Sequence, residues 1–180
     1  MSTSAEGTIA LRDGRPATLR PLPYDHPVAQ YLVEQVQQEY VARYGGRDAA
    51  VVEPGEFLAP RGLFLVAEVD GVPAGCGAWR ALSPEVAEIK RMYVEPGFRR
   101  LGLAQLIVAE LEDGASRAGH GSVVLNTGHE QPEALALYAN LDYRPVDSYG
   151  IYACAPGAVF LGKQLARSVD AVEEGSSWAS

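Results

Sequence analysis

Four basic side chains, Lys90, Arg91, Arg99 and Arg100, fall within eleven residues of a 180-residue chain that holds 15 lysines and arginines. An even scatter would put about one there, so the cluster is a local feature. It spans the end of a predicted strand, the Pro96-Gly97 turn and the first turn of a predicted helix. Leu101, Gly102, Leu103 and Ala104 follow, with small residues at alternate positions. A helix N-terminus offers unpaired N–H donors and partial positive charge. Gly102 and Ala104 remove bulk, so phosphate oxygens can reach those amides. The chemistry that fits is the anchoring of a phosphate-bearing ligand. The stretch is neither a Walker loop, since no Gly-Lys-Ser/Thr follows, nor a three-glycine dinucleotide fingerprint. On spacing alone, a solvated arginine pair capping a loop explains it equally well.

The elements that must position this cluster alternate between strand and helix signals. Thr8–Leu11 and Ala17–Leu22 read as strands flanking Asp13-Gly14, a tight-turn dipeptide. Val28–Tyr44 carries Val28, Tyr31, Leu32, Val36 and Tyr40 near helical spacing and is ended by Gly45-Gly46. Leu63–Val69 and Val72–Leu82 form a second predicted hairpin across Asp70-Gly71, and Val86–Val94 is a further strand stopped by Pro96-Gly97. Leu103, Leu106, Ile107 and Leu111 give a helical face ending near Gly119 and Gly121. Ser122–Leu125 reads as a short buried strand, Pro132 opens a helix that runs to about Leu141, and Ala158–Leu165 is the last strand. Early hairpins followed by a strand–helix–strand crossover predict an α/β (α+β) fold, a mixed central sheet with helices on both faces. Residues 1–7 and 166–180 read as tails around one domain over 8–165, with Trp178 an odd residue for a tail.

Composition narrows the function classes. With 23 acidic against 15 basic residues the formal charge is −8, the reverse of a nucleic-acid-coating protein. Cys76 and Cys154 form neither a disulfide framework nor a zinc pattern. The start, MSTSAEG, lacks a secretory pattern, and no apolar run approaches the ~18–20 residues of a membrane span. A soluble cytoplasmic protein, with no nucleic-acid or membrane partner and no metal, is the expectation.

The segment Glu88–Ala104, EIKRMYVEPGFRRLGLA, resembles the signature of the GNAT superfamily of N-acetyltransferases. The family's acyl-CoA motif, Gln/Arg-x-x-Gly-x-Gly/Ala, is matched by Arg99, Gly102 and Ala104. A second block, PEALALYANLDYRP over Pro132–Pro145, resembles the family's helix with Leu-Tyr followed by Gly-Phe/Tyr-Arg. Leu137-Tyr138 and Tyr143-Arg144 match, while Asp142 stands where glycine is commoner. The likeness extends over about Leu19 to Leu165.

The resemblance implies acyl transfer, usually of acetyl, from acetyl-CoA to an amine, with coenzyme A as co-substrate and no metal. It implies splayed central strands with the pantetheine arm along the backbone of Met92, Tyr93 and Val94. It further implies pyrophosphate on the amides of Arg100, Leu101, Gly102, Leu103, Ala104 and Gln105, with Arg99 and Arg100 adding charge-assisted bonds. Asn126 is then a polar contact to pantetheine or substrate, or simply a strand-end asparagine.

Two residues could move protons. Glu88, six residues before Val94, matches a position where family members often carry a catalytic glutamate, and the resemblance makes it the base. Even spacing places it on the face of Val94 unless the strand bulges. An ion pair with Lys90 or with a base on the neighbouring strand is the competing reading. Tyr138 matches a tyrosine whose hydroxyl points at the coenzyme A sulfur, which makes it the acid. Alone, it reads equally as a core tyrosine beside Leu135 and Leu141. Tyr40, Arg43 and Tyr44 at the end of the first helix, with Tyr149 and Tyr152, are candidates for the acceptor pocket. His129 is the one histidine near a predicted cleft and is not assigned a role.

The expected function is N-acetyl transfer to an amine of a small molecule or peptide, by a monomer or homodimer. A non-catalytic acyl-CoA-binding sensor is the alternative, and a small nucleotide-binding protein a third, disfavoured by the missing Walker lysine.

Overall fold

The computed structural model describes residues 7–166. The tails expected at 1–7 and 166–180, Trp178 included, lie outside the described residues except for Gly7 and Ala166. The strands are β1 (Thr8–Ala10), β2 (Pro16–Pro21), β3 (Gly62–Val69), β4 (Val72–Ala81), β5 (Val86–Val94), β6 (Ser122–Gly128), β7 (Arg144–Pro145) and β8 (Ala158–Gln164). The helices are α1 (Pro27–Tyr44), α2 (Leu103–Arg117) and α3 (Pro132–Asn140). The strands form one sheet in the order β1-β2-β3-β4-β5-β6-β8-β7, in which β5 and β6 are parallel and all other pairs antiparallel.

Local chemistry explains most boundaries. α1 starts at Pro27, where a missing N–H costs nothing, and His26 caps it by accepting the Val28 N–H at 3.2 Å. Gly45, left-handed at φ 76°, ends it with its N–H on Val41 O. Asp70 and Gly71 both have positive φ, as a two-residue hairpin turn requires. The first hairpin is wider than Asp13-Gly14 suggested. Only Gly14 is left-handed there, and Leu11–Arg15 make a five-residue connection closed by Leu11 N on Arg15 O.

Two cores flank the sheet. α2 lays Leu103, Ile107, Val108, Leu111 and Ala115 on one face, against Leu65, Trp79, Ile89 and Val123, and α3 packs on the same side. α1 covers the other face, with Leu32, Val33 and Val36 against Phe64, Val66, Cys76 and Tyr93.

β5 carries the feature that builds the site. Its register against β4 shifts between the pairs Cys76↔Tyr93 and Ala78↔Lys90. The extra residue is accommodated at Arg91, whose φ is 59°, and strand alternation reverses there. Ala87 and Ile89 face α2 before the bulge, Met92 and Val94 after it, and Tyr93 faces α1. Glu88 therefore lies on the face opposite Val94, which corrects the even-spacing expectation.

Gly77 sits opposite the bulge under α2. A Cβ there would meet Met92 Sδ at 2.6 Å, Ile107 Cγ2 at 2.7 Å and Leu111 Cδ1 at 3.0 Å. Gly77→Ala is expected to destabilise the domain by about 1–3 kcal/mol through overpacking, read from the denaturation midpoint. A wild-type midpoint would show that this seam is loosely packed.

Candidate active site

β5 and β6 are paired only at Val86↔Ser122, Ala87↔Val123 and Glu88↔Val124. Beyond those residues β5 continues on β4 to Val94, while β6 continues on β8 to Gly128. The two central strands thus separate, and a cavity of about 340 Å³ lies where they part. Ile89–Met92 and Leu125–Gly128 line it, joined by Gln131, Ala134 and Tyr138 from the start and body of α3. β6 is longer than the predicted Ser122–Leu125, because its pairing with β8 carries through Asn126, Thr127 and Gly128. Asn126 therefore lies within the strand and on the cavity wall.

The open edge of β5 presents backbone to this gap. Glu95 N bonds Ala74 O, so alternation along an antiparallel pair turns the Val94 amide and carbonyl away from β4. Accordingly, Val94 O accepts from Arg99 Nε at 2.8 Å. A little further on is the start of α2. Among the described residues the amides of Arg100, Leu101, Gly102, Leu103, Ala104 and Gln105 find no acceptor, and the first bond of the helix is Leu106 N to Gly102 O at 3.2 Å. Arg100 (φ 65°) and Gly102 (φ 89°) are both left-handed, a conformation that turns neighbouring amides toward a common concavity of the kind suited to anions. Arg100 is exposed, with no ion pair among the described residues. Arg12, which the sequence did not single out, reaches this turn from the first hairpin. Its amide bonds Leu101 O at 3.1 Å and its guanidinium contacts Gln105 Oε1 at 3.4 Å.

Tyr138 stands on α3 with its ring edge-on to Tyr143 at 5.2 Å, 4% exposed. Its hydroxyl has no hydrogen-bond partner among the described residues, and its side chain lines the cavity. Burial pushes its phenol well above the ordinary value, so it holds its proton.

Comparison with known proteins decides the family. The profile described as the acetyltransferase (GNAT) family matches residues 25–143. The chain is 30% identical over 148 residues to a protein of Azospirillum brasilense named IAA acetyltransferase, covering 81% of this chain and 95% of that one. The chain belongs to the GNAT acetyltransferase family. Its fold agrees with the GNAT domain of PAT from S. lividans, with TM-score 0.71 and 18% identity, covering 91% of this chain and 100% of that one. It also agrees with a GNAT family acetyltransferase from Elizabethkingia anophelis with acetyl-CoA bound, with TM-score 0.59 and 17% identity, covering 83% and 98%.

The other end of the cavity in this GNAT domain lies toward α1. Tyr40, Tyr44 and Tyr152 line it, together with Asp48, Lys90 and Arg91, which the sequence reading did not place there. Asp48 is rigidly held: its amide bonds Gln37 Oε1, and Oδ1 accepts from Ala50 N at 2.9 Å and Tyr152 OH at 2.7 Å. Oδ2 accepts from the Arg91 guanidinium. Burial opposes its ionisation, but Lys90, Tyr152 and Arg91 outweigh that and keep the carboxyl below its ordinary range.

Of the predicted site residues, Tyr93, Val94 and Arg99–Gln105 on the donor side, and Glu88, Tyr149 and Arg43, fall outside the cavity lining. Glu88 is buried behind the wall, accepting from Arg80 Nε at 2.9 Å, with Lys90 Nζ 3.7 Å away. Tyr149 packs edge-on against Phe160, and burial beside Glu88 raises its phenol. Arg43 braces the mouth by donating to Glu130 O at 2.7 Å and pairing with Glu133 and Glu39. Glu39 also holds Arg99 at 3.0 Å, and the Arg99 guanidinium lies over the Tyr93 ring. A chain of charges therefore links α1 to the starts of α2 and α3. His129 contacts Gly157 O and Glu130 and does not line the cavity. No group of three His, Cys, Asp or Glu that could hold a metal occurs among the described residues. None of the described helices is long and apolar enough to cross a membrane.

Proposed function

We propose that this GNAT protein transfers an acetyl group from acetyl-CoA to an amino group of a small molecule or peptide, by direct attack of the amine on the thioester. One observation supports it above the others. A run of free amides with Arg99 and Arg100 lies at the start of α2, a little beyond the β5–β6 gap, and the cavity in that gap has a protonated tyrosine on its wall and a polar end toward α1. A linear, phosphate-headed acyl donor suits that layout. The donor named with the Elizabethkingia anophelis structure points the same way.

When bound, acetyl-CoA supplies the acyl carbonyl and a thiolate leaving group. The residues divide the remaining work. The amides of Arg100 to Gln105 hold the pyrophosphate, Arg100 adds charge, and Arg99 does so in competition with Glu39. The backbone of Met92, the Val94 amide on the gap side of β5 and the Asn126 side chain take the pantetheine amides, with the Val94 carbonyl exchanging its bond to Arg99. Tyr138 donates its proton to the departing sulfur. Glu88 accepts, through an intervening water, the proton that the acceptor ammonium must lose, because it lies behind the cavity wall.

Glu88→Gln is expected to lower kcat by about 100-fold or more while coenzyme A affinity holds. An unchanged kcat with a lowered melting temperature would make Glu88 a structural partner of Arg80. The proposal as a whole is tested by thiol release from acetyl-CoA across amino acids, polyamines, aminoglycosides and peptide N-termini, with the product's mass measured. At least one class should be acetylated on nitrogen. If none is turned over although coenzyme A binds, the fold is a non-catalytic acyl-CoA-binding module.

A further inference from the structure

We propose that the acceptor carries a carboxylate besides its amine, and that Lys90 is the residue that reads it; this rests on the transferase reading above. The net charge of −8 describes the whole chain and not this pocket. The cavity wall carries three cations, Arg47, Lys90 and Arg91, against the single carboxylate of Asp48. Two of the cations already hold a carboxylate, although Arg91 Nε finds no hydrogen-bond partner among the described residues. Arg47 is bound in a two-bond fork by Glu34 at 2.9 and 2.8 Å, and Arg91 is bound by Asp48.

Lys90 differs. Only 5% of its side chain is exposed, and its ammonium has three donors. The groups facing it are Glu88 and Arg91 of its own strand, Arg80 of β4 and Asp48 of the loop after α1. Its nearest acceptors are Glu88 Oε1 at 3.7 Å and Asp48 Oδ2 at 3.8 Å, both beyond hydrogen-bond range. Neither can easily close on it. Glu88 is drawn away by Arg80 Nε at 2.9 Å, and Asp48 is fixed by Ala50, Tyr152 and Arg91. The Lys90 ammonium has no hydrogen bond among the described residues and lines the cavity, so an anionic oxygen bound there gives it a charge-assisted partner. Burial above all, with Arg91 and Arg80 beside it, also lowers the Lys90 pKa from its ordinary value against the pull of Glu88 and Asp48, a penalty that a bound carboxylate relieves. With Arg47 paired to Glu34, Arg91 to Asp48 and Arg80 to Glu88, one positive charge is left at Lys90, which a single carboxylate neutralises and a doubly charged phosphate overbalances.

The test uses matched acceptors in thiol-release assays: α-, β- and ω-amino acids, their carboxamides and the corresponding aminophosphonates. Coenzyme A affinity is measured alongside by calorimetry, for wild type and Lys90→Gln. In the wild type the best carboxylate should exceed its carboxamide in kcat/KM by about tenfold or more, the fold-change of a charge-assisted bond. In Lys90→Gln that ratio should collapse to near one, with coenzyme A affinity intact. The inference is overturned if carboxamides or phosphonates are preferred, if no amino acid is turned over, or if the preference survives the substitution. An equal loss for every acceptor would overturn it as well and make Lys90 a proton carrier. Failure to bind coenzyme A at all would instead defeat the transferase reading on which the inference stands.

Discussion

Tyr138→Phe is expected to slow thiol release from acetyl-CoA about 100-fold while leaving the melting temperature almost unchanged. The rate effect follows from the hydroxyl's position on the cavity wall and from burial, which keeps it protonated. It stands at the lower end of general-acid effects because a thiolate, with a pKa of about 8.5 by analogy with cysteine, leaves tolerably well unaided. The stability effect follows from packing. The Tyr138 hydroxyl has no hydrogen bond to lose among the described residues, and phenylalanine keeps the edge-on contact with Tyr143. Lost stability at unchanged rate would return Tyr138 to a purely structural role.

Gly102→Glu should weaken coenzyme A binding by about 100-fold or more, read by calorimetry. Room is not the reason, since a Cβ at Gly102 would meet nothing nearer than Arg12 Nε at 3.7 Å. Charge and conformation are. A carboxylate beside the free amides repels phosphate, and φ 89° suits glycine alone, at a cost of roughly 1–2 kcal/mol for an L-residue. Gly102→Ala adds the strain without the charge, so it should lose stability and keep most of the affinity. A folded Gly102→Glu variant with wild-type affinity would remove the start of α2 from the donor site.

Where local chemistry set the structure, the sequence was readable. The Gly45 stop of α1, the Asp70-Gly71 turn, Pro132 at the start of α3 and the apolar spacing of Leu103, Ile107 and Leu111 each act within a few residues. Local spacing pointed to a helix N-terminus behind Arg99 and Arg100 without deciding its ligand, and the amides of Arg100 to Gln105 have no acceptor among the described residues.

What could not be read depends on partners distant in the chain. The β5 bulge falls on Arg91, a residue with no conformational signature for positive φ, and only the register against β4 reveals it. That one residue decides that Glu88 and Val94 occupy opposite faces. Asp48 is a lone carboxylate in an unpatterned loop, and its importance comes from Gln37, Arg91 and Tyr152 meeting around it. The two-residue strand β7 carries no periodicity at all, and Thr127 and Gly128 join β6 only because β8 extends beside them.

Backbone amide NMR during titration with coenzyme A tests most directly whether the parted central strands seat the donor. The largest shifts should fall on Leu101–Gln105, on Met92 and Val94 at the open edge of β5, and on Asn126. Shifts confined to other surfaces, or none at millimolar coenzyme A, would contradict the assignment of this gap as the acyl-donor site.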